Sequence, residues 1–173
     1  MYDQTIKYIN TVRLYLRTLT ETDVSIVRLI NEDEFKTDEA ALDFIRWQSD
    51  AGRLLINFYI WLKQENQCIG RVYIHSKPEL NYEVEVGYSI LEAHRNKGYA
   101  TEAAKAIVHF AFEQTGQRVL CAIIKPENIS SRRVIEKLGF AYKSVRRVAD
   151  ENNVNCDFDY FQLRCNDWKL FAK

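Results

Sequence analysis

Arg95-Asn96-Lys97-Gly98-Tyr99-Ala100 is a short basic segment with one glycine, set between two runs of different periodicity. Before it, Glu83 to Ile90 alternates strictly. Val84, Val86, Tyr88 and Ile90 fall on one face and Glu83, Glu85, Gly87 and Ser89 on the other, which predicts a strand with one face on the core. After it, a helix is expected over Thr101 to Glu113, with Ala100, Ala104, Ile107, Val108 and Ala111 forming a core-facing stripe. A strand, a glycine-bearing loop and a helix start bring unpaired backbone N–H groups and the positive end of the helix dipole to one spot, which makes an anion site. Taken alone, the six residues read equally as a solvated basic turn; the flanking strand and helix favour the anion site.

The neighbouring segments place this unit within a larger sheet. Val12 to Arg17 alternates apolar and polar residues and predicts an opening strand. Thr20 to Asp23 resembles a capping box, with Val24, Val27 and Ile30 on one helical face beyond it, and a second helix is expected over Asp38 to Gln48. Asn57 to Lys63 and Ile69 to His75 are rich in β formers and flank the polar turn Gln64 to Gln67, so they read as a hairpin. Ser76 to Tyr82, containing Pro78, reads as a loop. Arg118 to Lys125 holds the unbroken apolar run Val119 to Ile124, as expected of a central strand. A helix follows from Ser130 to Leu138; Gly139 is placed to end it in the left-handed conformation, with Phe140 packing back on the last turn. Ala141 to Val148 and Phe158 to Cys165 are the closing strands, with the polar loop Asp150 to Asp157 between them. The order β-α-α-β-β-β-α-β-α-β-β, without linker or repeat, predicts one mixed α/β domain over residues 1–173.

Composition excludes several classes. Lys plus Arg equals Asp plus Glu, 24 each, which argues against wholesale nucleic-acid binding. No apolar run is long enough to cross a bilayer, and Met1 to Gln4 does not open a secretory leader, so a cytoplasmic location is expected. Cys68, Cys121, Cys156 and Cys165 form no Cys-x-x-Cys pair and have no His at ligand spacing, so reduced, partly buried thiols and no metal are expected. His75, His94 and His109 are dispersed. Trp47, Trp61 and Trp168 read as core or interface residues, with Trp47 a candidate for lining a cleft.

Three motifs in order resemble the GCN5-related N-acetyltransferase superfamily, and most closely its branch of ribosomal-protein-alanine N-acetyltransferases. Arg95 to Ala100 resembles the family's Arg/Gln-x-x-Gly-x-Gly/Ala loop, and its extension Thr101-Glu102-Ala103 is typical of the branch. Glu85-Val86-Gly87-Tyr88 is similar to the preceding strand, and Asn128 to Phe140 to the signature Asn-x-x-Ser-x-Arg-Val-x-Glu-Lys-x-Gly-Phe. Val12 to Arg17 is similar to the family's opening strand. The resemblance covers nearly the whole chain. It implies a central mixed sheet of about seven strands flanked by about four helices, with the fourth and fifth strands splayed. It implies acetyl-CoA as cosubstrate, a primary amine as acceptor and possible homodimerisation; direct attack in a ternary complex is expected because no Cys or Ser shows the paired base of a covalent nucleophile. One departure stands out: many members carry a Tyr seven residues after the Asn, as acid to the departing thiol, and here that residue is Ile135.

Within that frame, the backbone N–H groups from Asn96 to Ala100 and Thr101 would face the coenzyme pyrophosphate, Gly98 allowing close approach and Arg95 and Lys97 adding charge. The resemblance implies that Ser89, Ile90 and Leu91 hold the pantetheine arm and thioester through their backbone. Asn128 would bond the same arm, and Ser131 would lie near the sulfur and donate a hydrogen bond to the leaving thiolate in place of the missing Tyr; helix capping is the plainer role of both. Arg133 either meets a coenzyme phosphate or lies on the surface. Glu85 is the candidate base, taking a proton from an amine that arrives mostly charged, against the alternative that Glu83 and Glu85 form a solvated edge face. Acceptor contacts are expected from Asp33 to Trp47, including the acids Asp33, Glu34, Asp38 and Glu39, and from Asp150 to Asp157. The acceptor is either a protein N-terminal α-amine or a small amine. The alternative is a regulatory protein that keeps the coenzyme pocket without turnover, which the missing Tyr favours.

Overall fold

A computed structural model describes residues 8–31, 34–48, 55–150 and 154–171. Met1 to Gln4, Asp33 and the middle of the Asp150–Asp157 loop lie outside the described residues. The strands are β1 (Tyr8–Asn10), β2 (Leu14–Arg17), β3 (Leu55–Leu62), β4 (Gln67–Lys77), β5 (Glu83–Ile90), β6 (Val119–Ile124), β7 (Ala141–Ala149) and β8 (Asn155–Arg164). They form one sheet in the order β1-β2-β3-β4-β5-β6-β8-β7. The helices are α1 (Val24–Ile30), α2 (Asp38–Gln48), α3 (Tyr99–Gln114), α4 (Ile129–Lys137) and α5 (Cys165–Phe171). None is long and apolar enough to cross a membrane.

This is the expected mixed α/β architecture, with β5 and β6 being the fourth and fifth strands of the sequence reading. Two short elements enlarge it. Tyr8–Asn10 adds an edge strand to β2, and the last strand ends at Arg164 so that Cys165 begins a helix. Trp168, 3% exposed, anchors that helix against Phe112 of α3, with ring centroids 6.4 Å apart. The capping segment also departs in form: Glu21–Asp23 is a separate 3-10 turn, and the Thr20 N–H reaches the Asp23 carboxylate at 2.9 Å before α1 starts. Gly139 adopts φ +86° as expected, and the Phe140 N–H closes the helix end on Ile135 O at 3.2 Å.

The two faces of the sheet carry different chemistry. One face is apolar: Phe58, Ile60, Val72, Ile74, Val84, Val86, Leu120 and Phe161 pack on Ala103, Ala104, Ile107, Val108 and Ala111 of α3 and on Ile135 of α4. Burying each large side chain there contributes about 1.5–3 kcal/mol. The other face is covered over β3 and the start of β4 by α1 and α2, where Val27, Ala41 and Ile45 meet Tyr59, Trp61 and Cys68. Further along that face the side chains are mixed, with Cys121 and Tyr160 beside Leu80, Val148 and Phe158.

β5 is paired to β4 along its whole length, from Gly70↔Ile90 to Lys77↔Glu83, and β6 to β8 from Val119↔Arg164 to Ile124↔Asp159. Between β5 and β6 the pairing is parallel and is recorded only at Glu85↔Cys121. Past that point the two strands separate. The close approach of β4 to the free end of β5 depends on Gly70: a Cβ there would lie 2.1 Å from Ser89 O and 3.1 Å from Ile90 Cα. Because the obstacle is backbone, Gly70→Ala is expected to destabilise the fold by about 1–3 kcal/mol, read as a lower urea midpoint at unchanged m-value.

Candidate active site

Three elements meet around the opening between β5 and β6. The first is the loop from β5 to α3. Asn96 and Gly98 both take left-handed backbone, φ +61° and +80°, and the first helical bond of α3 runs from Glu102 N–H to Gly98 O at 3.1 Å. The N–H groups that begin α3 therefore point out of its end. Gly98 is required by its φ, and the nearest atom to a Cβ there would be Arg13 Nη2 at 3.3 Å.

The loop is held by a brace that the sequence reading missed. Glu102 Oε1 accepts from Thr11 Oγ at 2.6 Å and from Arg13 N–H at 2.8 Å; its Oε2 accepts from Arg13 Nε at 2.7 Å. Arg13 Nη1 goes on to Lys97 O at 2.9 Å, and the guanidinium lies 4.6 Å from the centre of the Tyr99 ring. Burial pushes the Glu102 carboxyl up, but the Thr11 and Arg13 hydrogen bonds outweigh it and hold the group below its ordinary value. The signal for this was the Thr-Glu-Ala extension itself, a first-turn acid whose partner lies in the opening strand. The loop's own cations are partly committed: Arg95 Nε donates to Ile90 O and Lys97 Nζ to Ala93 O, both at 3.0 Å.

The second element is the start of α4. Asn128 caps it, accepting from Ser131 N–H at 3.0 Å and Ser130 Oγ at 2.9 Å. Ser131 Oγ lies 2.8 Å from the hydroxyl of Tyr88, which also reaches Ser131 O at 3.0 Å. Tyr88 thus does more than pack on the core face: its phenol bridges β5 and α4. The sequence clue was a tyrosine on an otherwise aliphatic face, since a buried phenol needs a partner. Ile135, one turn further along the same face of α4, is 1% exposed in the main core. Arg133 is exposed, and Arg132 is drawn to Glu136 at 3.2 Å and Asp159 at 3.4 Å.

The third element is the opposite face of β5. Ser89 is exposed and Ile90 buried at the strand's free end. Glu85 is not on a solvated edge: it is 5% exposed, with Lys77 Nζ 2.8 Å from Oε2. The face is closed by Leu80 and by β6 and β8, whose Cys121 and Tyr160 lie beside the acids. Burial raises the Glu85 pKa and Lys77 works against that rise. Glu83 accepts from the Tyr160 hydroxyl, which Gln162 Nε2 also approaches at 3.1 Å. Burial, reinforced by the charges of Glu85 and Glu83, pushes the Cys121 thiol up, away from nucleophilic use. Tyr73 of β4 lies across Gly87, where a Cβ would fall 2.1 Å from the ring.

Other expected positions fall differently. All four cysteines are free, and all but Cys156 are buried. Among the described residues no three His, Cys, Asp or Glu side chains converge on a metal-sized site. Trp61 is buried, whereas Trp47 is half-exposed and stacks on Phe44 of the same helix, centroids 5.9 Å apart. Asp38 pairs with Arg28 at 2.7 Å and Glu34 with Arg71 at 2.9 Å, so these acids tie elements together.

The chain belongs to the GNAT acetyltransferase family, whose model, "Acetyltransferase (GNAT) domain", matches residues 13–141. It is similar to YnaD, an uncharacterized N-acetyltransferase of Bacillus subtilis, at 28% identity over 85% of each chain. Its fold is similar to that of Mycobacterium smegmatis RimJ in complex with CoA-disulfide, at TM-score 0.79 and 16% identity, covering 96% of this chain and 91% of that one. It is also similar to ribosomal-protein-S5-alanine acetyltransferase from Vibrio fischeri, at TM-score 0.75 and 19% identity over 93% and 98%.

The brace is open to direct test. Glu102→Ala is expected to cost about 1–2 kcal/mol, allowing for the exposure of Arg13, measured as a shift in the urea midpoint. A variant as stable as the wild type would show that Thr11, Arg13 and Glu102 do not hold the loop.

Proposed function

We propose that the protein is an N-acetyltransferase that moves the acetyl group of acetyl-CoA to a primary amine by direct attack in a ternary complex. The observation that carries this reading is the separation of β5 from β6 immediately beyond Glu85↔Cys121. It leaves backbone groups at the inner edges of both strands for a third chain-like ligand to bond, and the pantetheine arm is such a ligand. Ser89, Ile90 and Leu91 supply that edge on β5. The α3 end offers the N–H groups of Asn96 to Thr101, aided by Arg95 and Lys97, to the pyrophosphate. Asn128 and Ser131 flank the arm from α4, and exposed Arg133 meets a coenzyme phosphate.

Glu85 then serves as base. Its carboxylate is buried on the face of β5 away from α4, so the amine approaches from that side and loses its proton there, directly or through a water. The protein N-terminal α-amine, with a pKa of about 8, is the acceptor that needs least help. The ribosomal-protein acetyltransferase among the structural neighbours supports the same class of acceptor. Small amines are the other arm of the test, because loops set specificity on a shared fold.

Saturable binding of acetyl-CoA, and thiol release on adding peptides with free N-termini or small amines, are the expected results; absence of binding at millimolar coenzyme rejects the reading. Glu85→Gln is expected to lower kcat/KM by about 10²–10⁴-fold. The rate requires the carboxylate, so it falls as pH drops through the pKa of folded Glu85, which burial sets above the ordinary carboxylate value. Lys77→Met removes the opposing cation and moves that acid limb to higher pH. A Glu85→Gln enzyme with full rate across the pH range removes Glu85 from the mechanism.

A further inference from the structure

Tyr88 and Ser131 approach each other from the two elements that flank the opening, β5 and the first turn of α4. Each hydroxyl has one proton and lone pairs to accept with. The phenol is within reach of both Ser131 O and Ser131 Oγ, at 3.0 and 2.8 Å. Both contacts are made at once when Tyr88 donates to Ser131 O and the serine proton points back at the phenol oxygen. When Tyr88 donates to Oγ, the serine proton must point elsewhere, and the donor is strengthened by the bond its oxygen accepts. The backbone leaves Ser131 little freedom, because its N–H is fixed on Asn128 Oδ1 at 3.0 Å.

We propose that Tyr88 is a positioning residue that, by donating to Ser131 Oγ, aims the Ser131 proton into the opening and strengthens it as hydrogen-bond donor to the coenzyme A thiolate. The inference rests on the acetyl-CoA reading of the site. In the transfer, the acceptor nitrogen bonds to the acetyl carbon, the carbon–sulfur bond breaks and sulfur keeps the electron pair. The nitrogen's proton passes to Glu85 and on to solvent, and the thiolate, held by Ser131, is protonated from solvent.

Tyr88 does not surrender its own proton. Burial pushes its pKa up to about 12, whereas an ordinary thiol titrates near about 8.5. The thiolate is too weak a base to ionise the phenol, so the pair stabilises sulfur by hydrogen bonding alone. Charged groups on the surrounding elements are directed elsewhere. On α4, Arg132 meets Glu136 and Asp159 and Arg133 is exposed; on β5, Glu85 meets Lys77 on the opposite face; on α3, Glu102 meets Arg13.

The test compares wild type, Tyr88→Phe, Ser131→Ala and the double variant. Affinities for coenzyme A and for desulfo-coenzyme A, which lacks the thiol, are measured by calorimetry from about pH 6 to about pH 9, spanning the thiol range. Thiolate binding makes the wild-type preference for coenzyme A over its desulfo form grow as pH rises. In Tyr88→Phe this preference is expected to fall about tenfold at the upper end, the scale of one hydrogen bond to a charged group. The double variant is expected to be no worse than Ser131→Ala, and kcat to fall by a similar factor with KM for acetyl-CoA unchanged. The same pH-dependent preference in Tyr88→Phe as in wild type overturns the proposal, as do additive losses in the double variant. Wild type binding neither ligand defeats the acetyl-CoA reading itself, and this inference with it; wild type binding both without a rising preference defeats the inference alone.

Discussion

The parallel contact between β5 and β6, recorded only at Glu85↔Cys121, is the constraint on which the rest of the structure depends. Each strand is fully satisfied on its outer side, by β4 and β8 respectively. The chain leaves β5, forms α3 over the apolar face and returns as β6, a crossover that parallel strands require. One ladder pair, with the Ile123 N–H of β6 donating to the Glu85 carboxylate, holds the inner edges together before they part. Buried backbone groups without partners cost about 1–3 kcal/mol each, so such an edge is retained where a ligand completes it. The neighbouring ladders supply the rigidity that keeps it open.

Strand periodicity then sorts the chemistry. Residues three apart on a strand face opposite ways, so Glu85 and Tyr88 lie on opposite sides of β5. Tyr88 meets α4, and Glu85 meets Lys77 opposite Cys121. Under the proposed reading the amine and its base occupy one side of the sheet and the departing sulfur the other, with the opening between β5 and β6 as the passage. A single strand thus separates the proton acceptor from the leaving group by its own pleat. The arrangement needs no long-range positioning, only that β5 keep its register on β4. Gly70 secures this by letting the Ser89 carbonyl lie where any side chain would block it.

Most of this fold is legible in the sequence, and the exceptions share a cause. β5 and α2 lie where alternation and helical spacing put them, Glu83–Ile90 and Asp38–Gln48, because each has one face on a core and so carries a period. Gly139 and Phe140 end α4 as expected, a local backbone effect. Tyr8–Asn10 was missed because a three-residue edge strand is too short to show a period, and α5 because its anchoring residue, Trp168, acts through a partner in α3. The same holds at the candidate site. The Asn128 cap is local and was read as such; the left-handed backbone of Gly98 is local as well. The burial of Glu85, the Arg13–Glu102 brace and the Tyr88–Ser131 contact are each made across the fold, the two hydrogen-bonded cases between residues 89 and 43 positions apart. No window of sequence contains both partners.

The division between backbone and side-chain work also explains why so little sequence is needed to keep this fold recognisable. The loop's two cations donate to carbonyls of their own segment, Arg95 to Ile90 and Lys97 to Ala93, and Arg13 closes it from outside. What the loop presents at the end of α3 is therefore chiefly N–H groups and the helix dipole, which any residues with the right φ values supply. The inner edges of β5 and β6 likewise offer backbone. A site built so constrains a few positions tightly, those with left-handed backbone or a close strand approach, and leaves the others to drift. That is consistent with a TM-score of 0.79 at 16% identity to the RimJ structure. Under the proposed reading the acceptor side is the reverse: Glu85, Lys77, Tyr73 and Tyr160 present side chains there, and divergence at them would change the acceptor.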